Sequence, residues 1–249
     1  MPELNLTKLK QAQKNKHGSQ YGESGVIDEI FNQLHITPKY AIEFGAGHVS
    51  KTGGTANIRY FYDKYNCNCM YWDSASKKRK HSDKEYKDQF VKESIMVCHK
   101  SVNKHFKRFT KERFKMHPCS PRALDIVVID IDGQDYWVWR SLDNAYKSKV
   151  VVIEFNPTIP YTESKVMHCD NEHYSWRNPN CLYYGASISA LKKLGTEKGY
   201  SLVYKTKRNL IFVAKELVDM DIPLRELHPR ALGDLRSKFI KTPKWVIIK

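Results

Sequence analysis

The sequence lacks any apolar run long enough to cross a membrane, because its longest such runs, at residues 126–129 and 150–153, have only the length of a strand. Residues 1–16 are polar and rich in lysine, without the apolar segment of a secretory signal. The 6 cysteines among 249 residues are too few for a disulfide scaffold and are expected to be reduced thiols. These absences predict a soluble, cytoplasmic protein.

Acidic residues are scarce relative to basic ones: 27 Asp and Glu stand against 42 Lys and Arg, for a formal net charge of +15. Residues 77–115, here called the basic segment, contain 14 Lys and Arg but 5 Asp and Glu. Such a segment either attracts a polyanion such as RNA or forms the solvated face of a helix. No zinc-finger, RNP or helix-turn-helix pattern indicates nucleic-acid recognition. The candidate RNA contacts are Lys77, Lys78, Arg79 and Lys80.

Short β-branched runs alternate with amphipathic helical patterns, as in parallel α/β folds. The predicted strands are 40–44, 69–72, 94–98, 124–129, 149–155, 200–204 and 209–214. The predicted helices are 24–34, 57–65, 136–146 and 187–198. The strands at 124–129 and 149–155 are almost wholly apolar, so we expect them to be central in the sheet. No linker rich in Pro, Gly or Ser divides the chain, which favours one domain.

Three predicted strands end in residues suited to ligand binding. The first ends in Glu43 and the turn at 45–47, where glycines let the backbone approach a ligand closely. The second is followed by Asp73, which is suited to bind the hydroxyls of a ribose, and the fourth by the sequence DIDGQD at 130–135. Ligands of doubly wound sheets bind at the carboxyl ends of the strands, so we expect these groups to share one site.

Five stretches of the chain, in this order, resemble class I S-adenosylmethionine-dependent methyltransferases, and in particular the FkbM-type enzymes: 19–31, 41–47, 127–142, 150–160 and 184–203. The most specific are DIDGQDYWVW at 130–139 and VVVIEFNPTIP at 150–160. The resemblance implies a Rossmann-like seven-stranded sheet with helices on both faces, and S-adenosylmethionine as the cofactor. It implies a methyltransferase domain at 19–217, between a basic N-terminal extension at 1–18 and a C-terminal extension at 218–249.

The resemblance also implies which residues bind the cofactor. The expected residues, with neighbours in the glycine turn included, are Ser19, Gln20, Glu43, Gly45, Ala46, Gly47, His48, Asp73 and Asp130. Family members usually carry Trp-Asp-Gly after the first Gly-Ala of this turn, whereas this chain has Gly-His-Val at 47–49, so the contacts of the turn should differ. The basic segment and an insert at 163–181 are particular to this chain, and we expect the acceptor to be selected there.

Four residues at adjacent strand ends carry side-chain oxygens, and they are the candidate catalytic residues: Asp130, Asp132, Glu154 and Asn156. Oxygen ligands suit a hard divalent cation, so Asp130, Glu154 and Asn156 are the candidate ligands of Mg²⁺. Such an ion would lower the pKa of an acceptor hydroxyl and orient it. The alternative is structural: the aspartates would cap the next helix, and Glu154 and Asn156 would order their loop.

These observations favour a methyltransferase that acts on a hydroxyl of a sugar or glycan, the sugar being suggested by the resemblance. One alternative is an RNA methyltransferase, acting on a cap or a ribose 2′-hydroxyl, that uses the basic segment. The other is a binding protein that has the fold without the activity. A zinc site in the insert, from His168, Cys169, His173 and Cys181, is a weaker prediction because the spacing fits no regular pattern.

Overall fold

A computed structural model describes residues 1–45, 56–72, 90–93, 95–112, 124–169, 183–227 and 245–249. The helices are α1 (Leu6–Ala12), α2 (Glu23–Gln33), α3 (Arg59–Tyr65), α4 (Val102–Glu112), α5 (Asp135–Ser141) and α6 (Ile188–Glu197). Short 3₁₀ turns span Asn144–Tyr146, Lys215–Leu217 and Leu224–Leu227. Within these described ranges, no helix has the length and apolar character needed to cross a membrane.

The strands are β1 (Tyr40–Phe44), β2 (Asn68–Trp72), β3 (Phe90–Glu93), β4 (Leu124–Ile129), β5 (Ser148–Glu154), β6 (Lys165–Met167), β7 (Tyr200–Lys205), β8 (Asn209–Ala214) and β9 (Trp245–Ile247). Seven strands of the described chain form one sheet in the order β3-β2-β1-β4-β5-β8-β7. Neighbours from β3 to β5 are parallel, whereas β8 is antiparallel to both β5 and β7. This is the order of a class I methyltransferase sheet, and it confirms the predicted fold class.

The core lies on both faces of the sheet because the central strands are apolar on both sides. All six residues of β4 are buried. Val127 and Ile129 pack in a cluster with side chains of α4, α5 and α6, whereas Ile126 and Val128 pack with side chains of α2 and α3. Strand order reverses between β1 and β4, so the carboxyl ends of these two strands flank the crevice in which ligands of such sheets bind.

The third strand differs from the prediction, since it occupies Phe90–Glu93 rather than 94–98. After this strand the chain turns: the Cys98 carbonyl accepts hydrogen bonds from the N–H groups of Ser101 and Val102, both at 3.0 Å, at the start of α4. Met96 is 77% exposed. The apolar composition of 95–98 therefore reflects one side chain in solvent and a turn, not a buried strand.

The helix predicted at 136–146 is also divided. α5 ends at Ser141, because Leu142 takes an extended conformation with ψ of 122°. Asp143 then begins a separate 3₁₀ turn by accepting a hydrogen bond from the Ala145 N–H at 2.8 Å. Asp143 satisfies the backbone locally at this position, which ends the helix.

The segments on either side of the predicted domain pack against it. Leu4 and Leu9 of the N-terminal segment are 3% and 0% exposed and belong to the core. At the other end of the chain, β9 pairs with β6 in a small antiparallel sheet. β6 belongs to the predicted insert at 163–181, of which 163–169 are described.

Candidate active site at the carboxyl edge of the sheet

β1 ends in a buried carboxylate, Glu43, that holds the chain leading into α3. Its Oε1 accepts hydrogen bonds from the backbone and side-chain N–H groups of Asn57, at 2.9 and 2.8 Å. Its Oε2 accepts a hydrogen bond from the Ile58 N–H at 3.0 Å. Burial raises the pKa of Glu43 to about 7, although these hydrogen bonds act in the opposite direction. Glu43 therefore fixes the chain at 57–58 against the sheet edge.

This raised pKa should make the stability contribution of Glu43 depend on pH. Glu43 is protonated in the folded state up to about pH 7, but in the unfolded state only up to about 4.5. Its contribution is therefore complete below pH 4.5 and is lost as pH rises through 7. Between pH 5 and pH 8, urea unfolding should show wild type losing about 3 kcal/mol relative to Glu43→Gln. If the difference in unfolding free energy between the two proteins is the same at pH 5 and pH 8, the pKa of Glu43 is not raised. The exposed Glu163, changed to Gln, serves as the control.

A loop after β4 carries two further carboxylates, Asp130 and Asp132. Its shape is set by Asp135, whose buried carboxylate accepts hydrogen bonds from the N–H groups of Ile131 and Gly133 at 2.9 and 2.8 Å. Burial raises the pKa of Asp135 to about 6, and these hydrogen bonds limit the rise. Asp132 has φ of +58°, in the left-handed region that few side chains adopt. The loop is thus held in a conformation that places Asp132 in solvent beside Asp130.

Asp130, Asp132 and Glu154, here called the carboxylate cluster, lie together where β4 and β5 end. One oxygen from each lies within 4.8 Å of the others. Burial, and then the neighbouring carboxylates, raise the pKa of both Asp130 and Glu154 well above the usual range. Glu154 Oε2 is buried, and no residue that the structure describes donates a hydrogen bond to it. Such an arrangement would be stabilised by a cation or by a bound proton.

Asn156, the fourth candidate catalytic residue, uses its side chain to hold the loop after β5. Its Nδ2 donates to the Tyr184 carbonyl at 2.9 Å, and its Oδ1 accepts from the N–H and hydroxyl of Thr158 at 2.9 and 2.6 Å. Of the predicted metal ligands, Asp130 and Glu154 lie in one group with Asp132, and the role of Asn156 as a ligand stays a prediction.

The segment at 19–24 lies against the same edge. Ser19 Oγ accepts a hydrogen bond from the Ser24 N–H at 3.1 Å, and Ser24 Oγ donates to the Asn57 carbonyl at 2.8 Å. Gln20 is exposed. Gly45, with φ of +77°, donates its N–H to the Trp72 carbonyl at 2.8 Å. The structure thus gathers Ser19, Glu43, Gly45 and Asp130 around the ends of β1 and β4.

Several predicted residues lie outside the described part of the chain, and their roles stay predictions: Ala46, Gly47, His48, Asp73, Lys77, Lys78, Arg79, Lys80, His173 and Cys181. His168 and Cys169 of the predicted zinc set are described and half-buried. The described part of the basic segment includes α4, which exposes Lys104, Lys107 and Lys111 on the side opposite its buried Phe106 and Phe109.

Sequence reasoning missed Arg208, in the turn between β7 and β8. Its carbonyl accepts a hydrogen bond from the Phe155 N–H at 2.9 Å, so the turn lies directly beside the end of β5. The available signal was the pair Lys207–Arg208 between two apolar strands. That signal acquires meaning only once β8 is known to pair with β5, because this pairing brings the turn to the carboxyl edge.

No protein-family model and no curated protein matches the chain. Among solved structures, the chain is similar to the MycE methyltransferase from the mycinamycin biosynthetic pathway in complex with Mg and SAH, with a TM-score of 0.48 and 14% identity over 89% of this chain. A second structure, of the same methyltransferase with Mg, SAH and mycinamycin VI, has a TM-score of 0.46 and 12% identity over 87% of this chain. The chain spans 58% and 55% of the lengths of those two chains. Membership of the FkbM-type family stays a prediction.

Proposed function

We propose that this chain is an S-adenosylmethionine-dependent O-methyltransferase that acts on a hydroxyl group of a sugar or glycan. The observation that carries the proposal is the carboxylate cluster at the ends of β4 and β5, on a sheet with the class I methyltransferase strand order. The sugar as acceptor depends on the resemblance to FkbM-type enzymes, which is a weaker argument than the residues of the site.

The carboxylate cluster suits a divalent cation such as Mg²⁺. Asp130, Asp132 and Glu154 offer oxygen ligands only, which this class of ion prefers. The buried Glu154 Oε2, without a hydrogen-bond donor among the described residues, is an atom that such an ion would satisfy. When bound, the cofactor would supply an activated methyl group, and the cation would lower the pKa of the acceptor hydroxyl.

The residues of the chain then have two tasks. Asp135 and Asn156 hold the loops after β4 and β5, so that the carboxylates have fixed positions relative to an acceptor. A carboxylate oxygen of Asp130 or Glu154 that the cation leaves free would take the proton that the acceptor hydroxyl loses when its oxygen gains the methyl group.

Calorimetric titration of the full chain with S-adenosylmethionine and S-adenosylhomocysteine, in Mg²⁺ and separately in EDTA, tests the proposal. We expect dissociation constants on the order of micromolar for both ligands. We also expect methyl transfer to a panel of sugars and glycans to depend on the divalent cation. A folded protein that fails to bind either ligand at millimolar concentration would overturn the proposal and favour a binding protein without the activity.

Short RNAs belong in the same acceptor panel. Methylation of an RNA but of no sugar would overturn the sugar acceptor while leaving the methyltransferase in place. RNA binding that weakens steeply with salt, and that is lost when Lys77, Lys78, Arg79 and Lys80 are neutralised together, would support the RNA alternative.

A further inference from the structure

Arg208 lies in the turn beside the end of β5, the strand that carries Glu154 of the carboxylate cluster, and it is half-buried. Its Nη1 donates a hydrogen bond to the Tyr184 hydroxyl at 2.6 Å, and the Tyr21 side chain lies close by. Glu154 is paired with Asn209 in the register of β5 and β8, and the Phe155 N–H donates to the Arg208 carbonyl at 2.9 Å, so residue 208 lies directly beside the end of β5 that carries Glu154. Arg208 is therefore positioned to contact whatever ligand occupies the space next to these carboxylates.

The turn that carries Arg208 is held by hydrogen bonds to Glu23, which is fully buried. Glu23 Oε1 accepts hydrogen bonds from the Thr206 hydroxyl at 2.7 Å and from Asn209 Nδ2 at 3.1 Å. Both Thr206 and Asn209 are buried. Because the residues on either side of 207–208 are anchored in this way, little backbone freedom remains to be lost when a ligand binds.

The two tyrosines that contact Arg208 are also held in place. The Tyr21 N–H donates to Glu23 Oε2 at 2.9 Å, and the Tyr21 carbonyl accepts from Gln13 Nε2 at 3.0 Å. The Tyr184 carbonyl accepts from Asn156 Nδ2 at 2.9 Å. The Tyr184 hydroxyl therefore orients the guanidinium group from a residue whose own backbone is hydrogen-bonded, and Tyr21 beside it is held in the same way.

Among the described residues, no carboxylate forms a direct ion pair with Arg208 or Lys207. The ion pairs of the described chain involve other lysines and arginines, and the side chain that Arg208 hydrogen-bonds, Tyr184, is an uncharged phenol. A guanidinium group has five N–H donors, so further donors remain available. Lys207 is exposed, with its ammonium group 5.5 Å from the centre of the Tyr21 ring, which adds a second positive charge.

We propose that Arg208, assisted by Lys207, forms an anion subsite that binds a carboxylate or phosphate group of a ligand seated at the carboxylate cluster. The planar fork of arginine matches both groups, because it can donate two parallel hydrogen bonds to their oxygens. The ligand's role rests on the proposed function: the anionic group is either the amino-acid carboxylate of the cofactor or an acidic group on the sugar acceptor.

Binding measurements on Arg208→Gln and Arg208→Lys test the subsite without requiring turnover. The cofactor arm compares S-adenosylhomocysteine with 5′-methylthioadenosine, which lacks the amino-acid part. The acceptor arm compares glucuronate and inorganic phosphate with uncharged glucose. In at least one arm, Arg208→Gln should lower the affinity for the probe that carries the anionic group by about 10- to 100-fold. The affinity for the partner without that group should not change, and Arg208→Lys should show an intermediate loss.

Arg140→Gln is the matched control, because Arg140 also donates to a tyrosine hydroxyl, that of Tyr136 at 3.1 Å, but lies near the end of α5. Arg140→Gln should leave the affinity for every probe at the wild-type value. Wild-type affinity of Arg208→Gln for all three anionic probes, or an equal loss with both the anionic and the uncharged probes, would overturn the subsite. If phosphate or glucuronate binds through Arg208 while S-adenosylhomocysteine does not bind at all, the subsite stands and the proposed methyltransferase function fails. If S-adenosylhomocysteine binds but no probe depends on Arg208, the proposed function stands and only the subsite fails.

Discussion

Replacing Glu154 by glutamine should lower the affinity for a divalent cation by at least about 100-fold, because the variant loses a charged ligand oxygen. In EDTA the same variant should be more stable than wild type. Burial and the neighbouring carboxylates raise the pKa of Glu154 well above its usual range, so wild type loses stability relative to the variant as pH rises from the ordinary pKa of a glutamate through the raised one. Each pKa unit of the shift corresponds to about 1.4 kcal/mol.

The two effects have opposite signs, and this separates a ligand site from a merely structural cluster. Wild type should gain thermal stability as Mn²⁺ or Mg²⁺ is added, by about 2.7 kcal/mol at a concentration of 100 times Kd. Glu154→Gln should start from a higher melting temperature in EDTA and gain little from the cation. Asp130→Asn should behave similarly, because the pKa of Asp130 is raised by the same causes.

Calorimetric titration with Mn²⁺ and thermal unfolding at pH 8 provide the measurement. The control is Glu163→Gln, which removes an exposed carboxylate that pairs with Lys165 and lies outside the cluster. It should retain the cation response of wild type. Equal cation affinity in wild type and Glu154→Gln would show that the cluster does not bind the ion.

The parts of the fold that could be predicted from sequence are those in which burial and local pattern agree. β1 and β4 begin and end at the predicted residues, because each is a mostly apolar run followed closely by glycine, directly after β1 and within the DIDGQD sequence after β4. The prediction at 94–98 was wrong because an apolar composition does not distinguish a buried strand from a turn that leaves Met96 in solvent. The small sheet was not predicted, since the three-residue strands β6 and β9 are too short to show a period.

At the site, too, some features could be predicted from sequence and others could not. Asp130, Asp132 and Glu154 could be placed together from sequence, because parallel neighbouring strands end at one edge. The hydrogen bonds of Asn156 with Tyr184 and Thr158 could not be predicted, because they depend on the conformation of two loops. Arg208 was missed for a topological reason: a cation in a hairpin turn reaches the site only because β8 is inserted antiparallel beside β5.

Replacing Gly45 by alanine should have the largest effect on stability of any change at this edge, with a loss of more than about 3 kcal/mol. A Cβ atom built on Gly45 would lie 1.6 Å from the Asp130 carbonyl oxygen and 2.7 Å from its carbonyl carbon. Gly45 also has φ of +77°, which a side chain disfavours. The clash is with backbone, so relief requires β1 and the loop after β4 to separate.

Gly18→Ala isolates the part of this loss that comes from φ alone. Gly18 has φ of +90°, but a Cβ there would meet no atom within 4 Å, so the variant should lose only about 1–2 kcal/mol. Urea unfolding of the two variants measures the difference. If Gly45→Ala is no less stable than Gly18→Ala, the ends of β1 and β4 are not in the close contact described. If Gly45→Ala folds but loses cation binding, the close packing of these two strand ends is what holds Asp130 in the carboxylate cluster, and the glycine serves the site through Asp130.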